Sequence, residues 1–247
     1  MLDFIKSPLE YIPLEIGKAK LYKKGDLWCI SNEGREWMGY NTKTMWQAHE
    51  FLIELHYAQG ICITTGLGLG IIQTILCQNI NVSKLKVYEK NKDIIEIFYK
   101  LVEHNKINIS KLEIINYSAD EMKNETCDCL FLDHFEGESE AEVLERSSKI
   151  EKNNNTNMLW YWPAAWHYLI FLEKRRLTNN VDSYLSWKEY TKLKSLPNFI
   201  DNSVLEKFKV IKEMYLKNAS GVSKEILSNY ETRNKLIEKF AKRGIKK

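Results

Sequence analysis

No apolar stretch of this chain approaches the roughly 18 residues that a membrane-spanning helix needs, so no membrane-embedded function is expected. Nor does the beginning of the chain have the pattern of a targeting segment. Met1 to Pro13 carries Asp3, Lys6 and Glu10 and has no sustained apolar core. A soluble, cytoplasmic protein is the expectation. Cysteine is sparse and odd in number, at positions 29, 62, 77, 127 and 129. Three of the five fall in apolar, strand-like runs, which suits structural thiols in a reducing compartment. Cys127 and Cys129 have the spacing of a strand, not that of a CxxC redox or metal motif. The five histidines offer no zinc-like spacing either; His49 and His56 read as ordinary helix residues. Internal repeats and low-complexity tracts are lacking as well.

What is present is enough to build a core. A chain of 247 residues with 44% hydrophobic content can bury a full domain, with room for appendages. The formal net charge of +3 conceals an asymmetry: residues 175–247 hold 17 Lys and Arg against 8 Asp and Glu, and residues 1–174 hold 19 against 25. Two readings of the basic tail stand side by side. It is a solvated helical face, or it docks an acidic or nucleic-acid partner.

The chain is organised around Ile61-Cys-Ile-Thr-Thr65-Gly66-Leu67-Gly68-Leu69-Gly70-Ile71-Ile72. A short β-branched run enters three alternating glycines and has the character of a buried parallel strand. The run that leaves them has the 3-to-4 spacing of a helix packed on a sheet. Alternate glycines let backbone approach a ligand, and the helix start behind them presents free N–H groups to it. Lys84 to Glu89 is a second short strand, ending in a carboxylate about 20 residues beyond the glycines. A doubly wound fold places a ribose-binding acid there.

Before this stretch, Lys18–Lys23 and Leu27–Ser31 flank Lys24-Gly25-Asp26 as a hairpin, and Asn32-Glu33-Gly34 is a second turn signal. A helix over 44–57 follows, capped by Asn41 or Thr42. Beyond the glycines, helix 92–105, strand 112–117, strand 127–133, helix 139–152, loop 153–157 and strand 158–162 alternate, with Pro163 stopping the last strand. Such βα repetition implies a parallel sheet with helices on both faces and ligands at the carboxyl ends of its strands. Glu89, Asp120 and Asp133 all fall at those ends. After 175, helices over 181–194, 201–218 and 224–243 are expected. The organisation predicted is an N-terminal extension of hairpin plus helix (1–57), a doubly wound α/β core (58–174) and a basic helical extension (175–247).

Taken together, Gly66-x-Gly68-x-Gly70, Glu89, Ser118-Ala119-Asp120 and Asp133 resemble the class I S-adenosylmethionine-dependent methyltransferases over roughly 60–173. The resemblance implies a Rossmann-like fold, S-adenosylmethionine as cofactor, and methyl transfer to a small-molecule or nucleic-acid acceptor. It implies a cofactor site of Thr65, Gly66, Gly68, Gly70, Glu89, Lys90, Ala119, Asp120 and Asp133. Glu89 would bind the ribose, Asp120 would lie near the adenine amino group, and Asp133 would lie beside the reacting methyl. Asp133 and His134 are the candidate proton acceptors, the second because an ordinary histidine titrates near pH ~6.5. Tyr40, Glu136 and Trp162 are the candidate substrate contacts, and Trp160, Tyr161 and Trp166 could extend an aromatic wall beside Trp162 for a planar substrate.

The layout is also similar to spermidine synthases, in which N-terminal β-hairpins precede the same core. That keeps aminopropyl transfer open, with Asp133, Glu136 and Glu138 holding a polyamine. Phe131-Leu-Asp133-His134-Phe135 is similar to catechol-type enzymes, but no Asp-Asn pair follows the fifth strand, so no metal is expected. No Asn/Asp-Pro-Pro-Tyr or Pro-Cys motif supports methylation of DNA bases. Two residues before Gly66, where the family usually carries an acid, stands Thr64. That departure, with no last hairpin legible, leaves a third reading: an inactive fold used as a binding module.

Overall fold

A computed structural model describes residues 7–41, 56–135 and 139–200. The first unit is an antiparallel sheet of four strands in sequential order: β1 (Leu14–Ile16), β2 (Ala19–Lys24), β3 (Leu27–Asn32) and β4 (Arg35–Asn41). The expected hairpin is its middle, with Lys24 opposite Leu27 across Gly25-Asp26. The second turn signal joins β3 to β4, where Asn32 faces Arg35. β4 is not evident from sequence because Trp37, Met38 and Tyr40 break the apolar–polar alternation and Gly39 is a poor strand former. Its neighbour explains the glycine: a Cβ there would sit 3.6 Å from Cys29 Sγ.

This sheet is fastened to the rest of the chain by main-chain groups. The N–H of Lys18 donates to Asp93 Oδ2 at 2.8 Å. Glu10 donates its N–H to Asn105 Oδ1 at 2.6 Å, and Asn105 Nδ2 donates back to the Glu10 carbonyl at 2.9 Å. Leu9 and Tyr11 are buried between the two units.

The core comprises β5 (Gly60–Thr65), α1 (Ile71–Gln78), β6 (Val82–Tyr88), α2 (Lys92–Asn105), β7 (Leu112–Ile115), a 3₁₀ turn (Ala119–Glu121), β8 (Thr126–Leu132), α3 (Glu140–Asn153), β9 (Asn155–Tyr161), α4 (Ala164–Arg175) and α5 (Val181–Thr191). The strand order is β7-β6-β5-β8-β9, and every pairing is parallel. The chain therefore winds outward from β5 to β7, returns to β8 on the other side of β5, and winds outward again. This is the doubly wound α/β sheet expected from sequence. Its direction reverses between β5 and β8, and a crevice opens outside the carboxyl ends of those strands.

Local chemistry explains the elements. The central strands are apolar on both faces, with Cys62, Ile63, Leu130, Phe131 and Leu132 all buried. Helix α2 starts on Asn91, whose side chain accepts from the N–H groups of Asp93 and Ile94. Helix α3 starts on a capping box between Ser139 and Glu142.

Two expectations are corrected. Residues 153–157 are not all loop: β9 already begins at Asn155, opposite Thr126. Polar residues are tolerated there because β9 is the outermost of the described strands. Trp160 and Tyr161 do not form a substrate wall, since both are fully buried between sheet and helices. The Trp166 and Tyr40 side chains, His49, Glu136, Glu138 and the helices expected over 201–218 and 224–243 lie outside the described residues. So does the helix over 44–57, apart from His56 and Tyr57 at its end.

Candidate functional site

Strand β5 ends in Thr64 and Thr65, and the chain then turns through the glycines into α1. Gly66 has φ +76°, and a Cβ on it would lie 2.4 Å from the main-chain oxygen of Asp133. Only glycine permits the ends of β5 and β8 to approach this closely. Gly68 has φ +49°, with Met38 Sδ 2.8 Å from where its Cβ would stand. Strand β4 thus covers the loop. Gly70 adopts the left-handed conformation immediately before α1.

Two buried polar side chains fix the loop from beneath. Gln73 donates from Nε2 to the Gly66 carbonyl at 3.0 Å and to Thr64 Oγ1 at 3.3 Å. Thr64, at the position where the resembling family carries an acid, is therefore engaged by an amide of α1. Glu89, at the end of β6 and only 5% exposed, accepts the Leu67 N–H at Oε2 (2.9 Å) and the Asn91 N–H at Oε1 (2.8 Å). Buried carboxylates require such partners.

Around this loop lies a cavity of about 310 Å³. From the loop itself come Gly66, Gly68 and Gly70, and from the end of β6 come Glu89 and Lys90. The 3₁₀ turn supplies Ala119 and Asp120, the end of β8 supplies Asp133 and His134, and Trp162 follows β9. Most of the side chains named from sequence are thus gathered in one place. Thr65 lies just below, buried, with its hydroxyl accepting the Asp133 N–H at 2.9 Å.

The wall between the 3₁₀ turn and α3 is polar. Arg146 grips both oxygens of Asp120, at 2.9 Å from Nε and 2.7 Å from its terminal nitrogen. His134 Nδ1 is 2.7 Å from Thr65 Oγ1, and its Nε2 lies 3.5 Å from Asp120 Oδ1. The ring of Phe135 packs on His134, with centroids 4.6 Å apart, and carries the Arg146 guanidinium 5.1 Å above it. The His134 imidazole and, after it, the Arg146 guanidinium hold the Asp120 carboxyl well below the usual carboxylate range, against the opposing effect of burial.

Arg146, Gln73, Trp37 and Met38 are among the further residues that line this site. Arg146 has a readable signal, since the Ser139-x-x-Glu142 capping box fixes the phase of α3 and sets Arg146 one turn beyond Glu142. Gln73 is a lone polar residue in an apolar helix, which asks for a buried partner. Trp37 and Met38 come from β4, and the Lys90 ammonium lies 5.9 Å from the centre of the Trp37 ring.

No protein-family model and no curated protein matches the chain. Among solved structures, the chain is similar to the spermidine synthase of Thermotoga maritima, at 16% identity over 67% of this chain and 64% of that one, with a TM-score of 0.43. It is similar to Trm5b from Pyrococcus abyssi at 12% identity, over 56% of this chain and 38% of that one, with a TM-score of 0.38. A third likeness is to the N-methyltransferase NodS from Bradyrhizobium japonicum, solved with S-adenosyl-L-homocysteine. There the identity is 13%, over 48% of this chain and 61% of that one, and the TM-score is 0.38. The chain spans less than two thirds of the length of each, and the likeness lies in the arrangement of strands and helices.

Proposed function

We propose that the chain is an S-adenosylmethionine-dependent methyltransferase acting on a small-molecule or nucleic-acid acceptor. The observation that carries this reading is the convergence of the Gly66–Gly70 loop, Glu89 and Asp133 on one cavity at the reversal point of the sheet. When bound, the cofactor would supply an electrophilic methyl carbon on a sulfonium. The residues fit such a group: Gly66, Gly68 and Gly70 line the cavity with main chain and no side chain of their own. Glu89 would hold the ribose. Gly66 and Gly68 would let main chain lie against the methionine portion, and Lys90 and Ala119 would border the adenosine. Asp133 would orient the acceptor and take its proton. Orientation of this kind can supply roughly 7–11 kcal/mol of barrier lowering, so few catalytic groups are needed.

Aminopropyl transfer is the second reading, and the roof that β4 forms over the glycine loop favours it, since that family also carries strands before the core. Of the carboxylates that reading calls on, Asp133 lines the cavity, and Glu136 and Glu138 lie outside the described residues.

Calorimetric titration with S-adenosylmethionine and S-adenosylhomocysteine tests the proposal. Micromolar binding, lost in a folded Glu89→Gln variant, is the expected result. If neither compound binds while decarboxylated S-adenosylmethionine does, and putrescine binds beside it, the aminopropyl reading replaces the first. If no adenosyl compound binds, both enzyme readings fall.

A further inference from the structure

We infer that His134 is a positioning residue, held by Thr65 at Nδ1 and by Asp120 at a protonated Nε2, and that it exchanges no proton with a bound ligand. Hydrogen-bond inventory leads there. Thr65 Oγ1 has one proton to give and two lone pairs to offer. One lone pair accepts the Asp133 N–H at 2.9 Å. Its own proton has two possible destinations: the Phe131 carbonyl at 3.5 Å and His134 Nδ1 at 2.7 Å. The second is a full hydrogen bond by length, and the first lies at the outer limit. The hydroxyl therefore donates to Nδ1, which must be the bare nitrogen.

The opposite end of the ring agrees independently. Among the described residues, His134 Nε2 has no hydrogen-bond partner of good geometry, and it has no accessible surface. What it faces is Asp120 Oδ1 at 3.5 Å, a carboxylate that Arg146 keeps charged. A bare lone pair directed at that oxygen would be repelled, whereas an N–H is attracted. Both ends select the same tautomer. The groups packed around the ring are Thr65 from β5, Asp120 from the 3₁₀ turn with Arg146 of α3 behind it, and the Phe135 ring.

The consequence bears on the chemistry of the cavity. The nitrogen with a lone pair points to Thr65 beneath the glycine loop, and the nitrogen with the proton points to Asp120 with no accessible surface. Neither is presented to the cavity. His134 instead links the end of β5 to the 3₁₀ turn, and so holds Asp120 where Arg146 can grip it. Of the two proton acceptors named from sequence, only Asp133 remains.

The test is a long-range proton–nitrogen correlation spectrum of the full-length, nitrogen-15-labelled protein at about pH 8.5, two units above an ordinary histidine's pKa, with His134→Asn for assignment. We expect one tautomer for His134, with Nε2 protonated and Nδ1 bare. In Thr65→Val the Nδ1 resonance should move downfield as its hydrogen bond is lost, and Thr65→Ser should restore it. A wild-type ring protonated on Nδ1, or a mixture of the two tautomers, overturns the inference. So does an Nδ1 resonance that does not move in Thr65→Val. The spectrum requires no ligand, so it reads His134 whether or not an adenosyl compound binds.

Discussion

The main-chain N–H of Leu67 donates to Glu89 Oε2 at 2.9 Å, which ties the glycine loop after β5 to the end of β6. One carboxylate thereby serves two purposes: it shapes the loop, and it stands where a ribose would be held. Glu89→Ala should accordingly cost stability even without ligand. Two N–H groups, the buried one of Leu67 and the part-buried one of Asn91, would lose their acceptor, at about 1–3 kcal/mol each if water does not replace it. Urea denaturation should show a loss of at least about 2 kcal/mol. A variant as stable as the parent would mean that the loop does not depend on Glu89.

Gly66→Ala should be among the most damaging single substitutions in the core. The left-handed backbone costs roughly 1–2 kcal/mol for an L-residue, and a Cβ 2.4 Å from the Asp133 main-chain oxygen forces β5 and β8 apart. Overpacking adds about 1–3 kcal/mol. Gly25→Ala is the control, because its φ is +62° but nothing lies near its Cβ position. Thermal melts of the two variants should differ clearly, with Gly66→Ala the lower.

Stability should fall with acid through His167. Burial, with a smaller contribution from Lys174, pushes this imidazole down to about 4, and Tyr161 lies beside it with its hydroxyl 3.3 Å from Nδ1. The folded value is below the unfolded one of about 6.5, so the unfolded chain binds the extra proton between them. The contribution is complete above pH ~6.5 and is lost as pH falls toward 4. Unfolding free energies at pH 7 and pH 4.5 should differ by about 1–3 kcal/mol more in the parent than in His167→Gln.

Asp120 has the opposite chemistry and a similar sign. Its folded value is depressed, first by His134 and then by Arg146, so it stabilises above the ordinary carboxylate value of about 4 and ceases to do so as pH falls through the depressed one. The pair is half exposed, with side chains 27% and 38% accessible, so its coupling should be about 1 kcal/mol or less. A double-mutant cycle of Arg146→Gln and Asp120→Asn at pH 7 measures that coupling, and at pH 2.5 it should shrink. A coupling that added salt leaves unchanged would show that the two side chains do not act as an ion pair.

Much of the core is legible because its signals are local. Helix α2 occupies the residues that its apolar periodicity marks, and β5, β6 and β8 stand where short apolar runs end in threonine or acid. β4 is hidden because its residues do not alternate and Gly39 interrupts them, and pairing with β3 decides its state. The aromatic run before Pro163 illustrates the other limit. Composition marks Trp160, Tyr161 and Trp162 equally, but the first two lie within β9 and are buried under the packed elements, whereas Trp162 lies just past its end at the cavity.

By itself the sequence determined the βα alternation, the glycine turn and the acids at the strand ends, since each depends on residues close together in the chain. Only the tertiary structure decided what those acids do. Asp120 meets Arg146 from 26 positions away, and His134 meets Thr65 from 69 away. The partner of a charged or polar group is set by which strand ends and helix starts the sheet brings together, and that choice is made by packing and not by any run of neighbouring residues.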